Sequence, residues 1–281
     1  VRARAGRAWQ PPAGARAVVL DTADAATLAG AVTDARPEIV FHLAATGVRL
    51  EERGRDALVE GNVGLTARLV EAVAPSSPRR FVMAGSCSEY APGPAGARLG
   101  EAHPIAPTSS YGAGKAAAVV FARALARAAR VPLVVVRPFG VFGPGERPGR
   151  LAPHVASSVL AGRSVALTSG EQRRDFTYVD DVIDAFLIAA TSDALAEGEA
   201  YNVCTGDAIS VRSFAERVAD VVGGGRERLA FGALPDRTDE PAWIVGDGAR
   251  FRAATGWAPR VDLDEGVRRT VAWVRSLEEG A

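Results

Sequence analysis

Short apolar runs alternate with longer helical stretches through the first half of this chain, and that alternation restricts the fold more than any other feature. Ala17-Val-Val-Leu-Asp21, Glu38-Ile-Val-Phe-His-Leu43, Arg80-Phe-Val-Met-Ala84 and Pro132-Leu-Val-Val-Val-Arg137 read as strands. Between them, residues 24–35, 56–74 and about 109–130 carry helical patterns. Strands separated by helices of this length build a parallel sheet with helices on its faces. The expectation is an α/β, doubly wound parallel sheet. Ligands of open α/β sheets bind beyond the carboxyl ends of the strands, which here are Asp21, Ala44, Ser86 and Pro138.

After residue 145 the alternation loosens, and Pro-broken loops mix with helices near 153–161, 180–190, 211–222 and 263–277. The reading divides the chain into a dinucleotide-binding part, 1–145, and a smaller substrate-covering region, 146–281. The two interleave, because about 176–205, and Tyr201-Asn-Val-Cys204 in particular, reads as a return to the main sheet. A dinucleotide fold opens with a strand, a Gly-rich turn and a helix whose N-terminus holds pyrophosphate. Val1-Arg-Ala-Arg-Ala-Gly-Arg7 shows none of these. The opening βα unit, roughly thirty residues by the usual size of a βαβ motif, is therefore expected to be missing from the sequence. A polypeptide without it is expected to fold poorly and bind cofactor weakly.

The 281 residues are 48% hydrophobic and 23% charged, enough apolar material for one large or two intimate domains. Formal net charge is zero, so no nucleic-acid partner is implied. No apolar run reaches membrane-spanning length, and the Arg-rich first residues are not followed by a long apolar stretch. Cys87 and Cys204 have no metal-ligand spacing, so no metal is expected. A cytoplasmic enzyme fits this composition.

Thirty-three residues are Lys or Arg, and Lys115 is the one lysine. It stands four residues after Tyr111 in Ser-Ser-Tyr-Gly-Ala-Gly-Lys, on the same helix face. A compact ammonium fits beneath a ribose and beside a phenol where a planar guanidinium does not. The expectation is that Lys115 lowers the pKa of Tyr111 and makes it a general acid and base.

Tyr111-x-x-x-Lys115, the strand-end Ser86, Arg137-Pro-Phe-Gly-Val-Phe-Gly-Pro144 and Arg174-Asp-Phe-Thr-Tyr-Val-Asp-Asp-Val182 together resemble the extended short-chain dehydrogenase/reductases, in the NAD-dependent epimerase/dehydratase branch acting on nucleotide sugars. The resemblance covers the chain apart from its start, and implies a Rossmann-like fold. It casts Tyr111 as acid/base, Lys115 as the holder of the nicotinamide ribose, and Ser86 as hydrogen-bond donor to the reacting oxygen. Asp21 resembles the acid that receives the adenine amino group. Ala44 and Ala45 resemble the small residues beside the adenosine ribose, Pro138 falls in the cofactor-binding set, and Asn62 matches a supporting helix position. Arg174 and Arg237 match the pair that grips the diphosphate of the substrate, with Asp175 orienting Arg174 or pinning the loop. Gly140 stands where the family often has Asn. His42 reads as a packed strand residue, and His103 and His154 carry no motif.

The 4,6-dehydratases of the family place a carboxylate at the positions of Cys87 and Ser88, and Glu89 comes one residue late, so elimination is disfavoured. At the second strand end an acid suits NAD and arginine suits NADP. Arg2 and Arg4 therefore tilt the cofactor toward NADP(H), with NAD(H) the alternative. The expected activity is a nucleotide-diphospho-sugar 4-ketoreductase. The competing readings are an NAD-dependent 4-epimerase, and a truncated non-catalytic scaffold. The resemblance also implies a homodimer through the helices at 56–74 and 109–130, where Ala113, Ala117, Val120 and Ala124 permit close approach.

Overall fold

The computed structural model describes residues 13–279; Arg2 and Arg4 lie outside them. In chain order the first half gives α1 (Ala25–Ala35), β1 (Ile39–His42), α2 (Arg55–Leu58), α3 (Leu65–Val73), β2 (Arg80–Ala84), α4 (Ser110–Ala129) and β3 (Leu133–Pro138). A π-helical turn, Val59–Gly64, joins α2 to α3 as one helix. The second half adds β4 (Gly140–Phe142), α5 (Leu151–Leu160), β5 (Val165–Leu167), β6 (Arg173–Arg174), β7 (Phe176–Tyr178), α6 (Val179–Thr191) and β8 (Ala200–Val203). It closes with β9 (Ile209–Ser210), α7 (Val211–Val222), β10 (Leu229–Phe231), β11 (Trp243–Ile244), α8 (Ala249–Thr255) and α9 (Leu263–Glu279).

The main sheet is parallel, in the order β1-β2-β3-β8. Its centre is apolar on both faces because both are covered. Phe81, Met83, Leu133 and Val135 pack beneath α3 and α4 with Val70, Val119 and Ala122. The alternate residues Val82, Val134 and Val136 pack against α6 and α8 with Val182, Ala185 and Phe251. Side chains of a strand alternate between faces, so a continuous Val/Leu run is what a strand covered on both sides requires. This is the doubly wound Rossmann-like arrangement. Ala200–Val203 does enter the main sheet, beside β3, and α6 covers the same sheet. A separate core in the second half centres on Phe142, Val155, Phe214, Val218 and Val267, where the Phe176 and Phe214 rings stack at 4.0 Å.

Local signals set the helix ends. The Asp24 carboxylate accepts the N–H groups of Ala26 and Thr27 at the start of α1, and Ser109 accepts that of Gly112 at the start of α4. These are the acceptors that leave fewest orphan donors at a helix start.

One expected strand does not form. Ala17–Asp21 is irregular, and Val18 and Val19 are exposed. The segment has strand-forming composition but, among the described residues, no ladder partner, and β propensity without a neighbour yields no strand. The carboxylate of Asp21 instead accepts the N–H of Ala23 at 2.9 Å, closing a turn before α1.

His42 ends β1 buried, its Nε2 2.8 Å from the Thr66 hydroxyl. Burial, with the Lys115 charge nearby, pushes its pKa from 6.5 down to about 4. The unfolded chain therefore takes up this proton at a higher pH than the folded chain. Stability is complete above pH 6.5 and falls as pH drops toward 4, by about 3 kcal/mol for a shift of this size. Thermal melts of His42→Asn across that window should show a flatter pH dependence than wild type; parallel curves would refute the assignment.

Candidate active site

The site begins where β2 leaves the sheet. Ala84 and Gly85 lead into Ser86, which starts a 3₁₀ turn, Cys87–Glu89. The Ser86 hydroxyl accepts the Ser88 N–H at 3.1 Å, while the Glu89 carboxylate accepts the Ser86 N–H at 2.7 Å. This reciprocal capping box fixes the direction of the Ser86 side chain. Ser86 is thus a cap, and its side chain lines the same cleft as the Tyr111 phenol, near enough to favour phenolate.

Tyr111 comes from the first turn of α4, and a missing side chain brings it to Ser86. A Cβ on Gly112 would lie 2.1 Å from the carbonyl oxygen of Ser88, so only glycine lets the helix touch the turn this closely. Lys115, one turn further along α4, is 3% exposed and donates from Nζ to the Ala84 carbonyl. Ser86 and the Tyr111/Lys115 pair, separated by some 25 residues, thus come together at the carboxyl end of β2.

The effect expected of Lys115 on the phenol is corrected by the structure. The pKa of Tyr111 is raised, not lowered, and burial is the dominant cause. The Cys87 and Glu89 charges add to the rise, and the influences that favour phenolate come from Ser86 and Arg150. The ammonium of Lys115 is turned toward the sheet end at Ala84.

A cleft of about 380 Å³ opens above this group. Ser86, Tyr111 and Pro138 line it on one side and Arg174, Arg237 and Glu240 on the other. Arg174, from β6, pairs with Glu240 at 2.7 Å. Arg237 pairs more loosely with Asp239, at 3.3 Å. The loop holding these acids is tied back to the first half by Arg53, which donates to Asp239 at 3.1 Å and to the Gly47 carbonyl at 3.1 Å. The Thr108 hydroxyl donates to the Asp239 carbonyl at 3.0 Å.

Other expected residues fall as follows. Ala44 and Ala45 follow β1 at its carboxyl end, exposed and half-buried. Asn62 is buried in the π-helical turn and makes two bonds to Thr46, accepting its N–H and donating to its carbonyl, each at 3.0 Å. These bonds tie the π-helical turn to the exit of β1, and π-bulges recur at functional sites. Asp175 pins loops: its buried carboxylate accepts N–H groups from Thr205, Gly206 and Gly246. Gly140 has no room for a side chain, since a Cβ would meet the Asp175 carbonyl oxygen at 2.6 Å. His154 is exposed on α5, and His103 bonds the Ala91 carbonyl.

Glu89 points away from the cleft. It has no solvent exposure and pairs with Arg137 Nε at 2.8 Å. Cys87 and Ser88 do line the cleft, and burial pushes the Cys87 thiol up to about 11. Neither offers a carboxylate.

Arg53, Thr108, Gly112 and Arg150 escaped the sequence reading. Arg53 follows two glutamates and looks like a solvated run. Arg150, bonded to Glu146 at 3.2 Å, closes a loop of Pro and Gly. Only contacts between distant segments mark them out.

The residues fit a nicotinamide dinucleotide. Lys115 has three donors and one serves Ala84, leaving donors for ribose hydroxyls. The small side chains of Ala44 and Ala45, exposed and half-buried at the exit of β1, leave the backbone there open to a ribose. The profile of the NAD dependent epimerase/dehydratase family matches residues 1–204. The chain belongs to that family. It is 33% identical over 261 residues to the UDP-glucose 4-epimerase of Mycolicibacterium smegmatis, covering 90% of this chain and 81% of that protein. It is 33% identical over 220 residues to the dTDP-6-deoxy-L-talose 4-dehydrogenase (NAD(P)(+)) of Kitasatospora kifunensis, covering 76% of this chain and 69% of that one. The crystal structure of the UDP-glucose 4-epimerase of Thermus thermophilus, a complex with NAD, superposes with a TM-score of 0.83 at 28% identity, covering 91% of this chain and 83% of that one.

Gly112→Ala tests the geometry of this family member. The added methyl must push α4 off the Ser88 carbonyl, at a cost of about 1–3 kcal/mol. If Tyr111 is the acid/base, displacing it by even about 1 Å should lower turnover roughly 100-fold, with near-native circular dichroism. Unchanged turnover would show that the close approach is unnecessary.

Proposed function

We propose that the chain is a nucleotide-diphospho-sugar 4-ketoreductase that reduces a keto-deoxysugar. The supporting observation is that Ser86 and Tyr111 line one cleft together with Arg174 and Arg237. Burial raises the pKa of the Tyr111 phenol, and a neutral phenol beside the sugar carbonyl is a proton donor. Ser86 donates a hydrogen bond to the same oxygen as negative charge develops, the preorganised stabilisation that matters most in such sites. Lys115 holds the ribose of the cofactor from its place against the Ala84 carbonyl. Bound, the nicotinamide supplies hydride to the carbonyl carbon. Arg174 and Arg237 take the diphosphate in bidentate fashion as Glu240 and Asp239 release them. Residues 1–145 hold the cofactor and 146–281 cover the sugar, with β8 and α6 returned to the sheet. The absence of an acid at Cys87 and Ser88 argues against elimination.

A second reading, a 4-epimerase using the same residues twice per turnover, is favoured by the 33% identity over 90% of the chain to a UDP-glucose 4-epimerase. The preference for NADP(H) rests on Arg2 and Arg4, outside the described residues. The Thermus relative is a complex with NAD, so NAD(H) is the first cofactor to test.

Stoichiometric oxidation of NADH or NADPH on adding a dTDP-4-keto-6-deoxysugar supports the ketoreductase. Interconversion of UDP-glucose and UDP-galactose without net cofactor consumption replaces it with the epimerase. Neither reaction, together with no cofactor binding, points to the scaffold. Tyr111→Phe should lower either activity roughly 10²–10⁴-fold.

We also infer a homodimer through α4. Ala113, Val120, Phe121 and Ala124 are exposed on that helix, and Val59 is exposed on the neighbouring π-helical turn. Light scattering should report a dimer that Val120→Glu converts to monomer; a wild-type monomer refutes the inference.

A further inference from the structure

Glu89 is a fully buried carboxylate that the proposed chemistry does not use. It lies on the floor of the site. One oxygen accepts the Ser86 N–H at 2.7 Å and the other accepts Arg137 Nε at 2.8 Å. The fit around it is tight: a Cβ on Gly85 would meet Glu89 Oε1 at 2.7 Å. Gly85 stands between Ala84, whose carbonyl receives the Lys115 ammonium, and Ser86. The carboxylate and the ammonium therefore engage the same short stretch of backbone.

We propose that Glu89 is the positioning residue of this site, fixing Ser86 through its backbone and acting through space as the counter-ion of the Lys115 ammonium. The proposal rests on the reading of Ser86, Tyr111 and Lys115 as the reacting group.

An ammonium 3% exposed loses most of its hydration, and burial alone favours the neutral amine. The groups facing Lys115 come from three elements. Tyr111 lies one turn back on α4, a phenol that burial keeps neutral. His42, from β1, is itself kept neutral by burial and by the Lys115 charge. Glu89, from the turn after β2, carries the opposite charge, and that charge opposes the effect of burial on Lys115. Arg137 holds Glu89 from the far side, Nε to carboxylate oxygen at 2.8 Å. A neutral amine would still bond a ribose but would leave the floor of the site without its positive charge. One side chain thus aligns the hydroxyl and sustains the charge on either side of Tyr111.

Lys115 being the only lysine of the chain, its titration can be read directly. Protein grown on ¹³C-lysine gives a single side-chain lysine signal by NMR, and no substrate is needed. Wild type should keep Lys115 charged at about pH 7, well below the ordinary lysine range; a neutral amine there overturns the proposal without any variant. In Glu89→Gln, which keeps the shape, the lysine should titrate lower than in wild type by about one pH unit or more, the effect of losing a nearby opposite charge. Where Glu89→Gln alone does not fold, Glu89→Gln/Arg137→Met removes the orphaned cation as well, and a smaller downward displacement is expected, because the lost Arg137 charge offsets part of the lost carboxylate. Glu89→Asp should restore the titration toward that of wild type. A folded variant whose lysine titrates as in wild type overturns the counter-ion role. If the displacement is seen while the protein turns over no nucleotide sugar, the electrostatic link stands and the proposed activity fails.

Discussion

The buried pair of Glu89 and Arg137 is the interaction on which the rest of the site depends. It ties the turn after β2 to the end of β3, and those two strand exits carry Ser86 and Pro138. The Tyr90 hydroxyl extends the pair: it accepts from Arg137 at 3.1 Å and donates to Asn202 of β8 at 2.7 Å. Three adjacent strands are thus joined at their carboxyl ends by one hydrogen-bonded network. Desolvating two charges is costly, and removing one partner of such a pair typically destabilises by about 3–5 kcal/mol. What the pair secures is geometry: a capping box that cannot rotate and a serine aimed at a phenol.

Above that rigid floor, the opposite wall is held by charge rather than packing. Arg174 and Arg237 belong to the second half, and each is paired with an acid of the 236–241 loop. Arg53 reaches the same loop from the first half. In the proposed function, an incoming diphosphate would compete with carboxylates that already satisfy the arginines, so only a ligand with comparable charge density and fork-like geometry would gain by entering. The proposed function would thus have rigidity where proton transfer needs alignment, and exchangeable ion pairs where a substrate must come and go.

Much of this was legible in the linear chain. The main helices and the strands at Ile39, Arg80, Leu133 and Ala200 follow from periodicity, because each buries a stripe or both faces of a strand. Tyr111 and Lys115 were legible because four residues of helix fix their spacing. The segment at Ala17 misled, since its composition suits a strand whereas a ladder needs a neighbour. The paired two- and three-residue strands around Arg173, Phe176 and Trp243 were invisible, being too short to show a period. The direction of the Tyr111 shift was misread for a related reason: spacing reveals a nearby ammonium but not how much water the fold removes.

Local order in the sequence determined which segments become helix and strand, and which phenol and ammonium share a helix face, because these depend on neighbours a few residues away. Tertiary structure alone decided that Ser86 meets Tyr111, that Gly112 must lack a side chain, that Glu89 turns into the core, and that Asp239 and Glu240 face the arginines. Each of those depends on contact between segments tens of residues apart, or on burial, and neither distance nor dielectric is written in the spacing of residues.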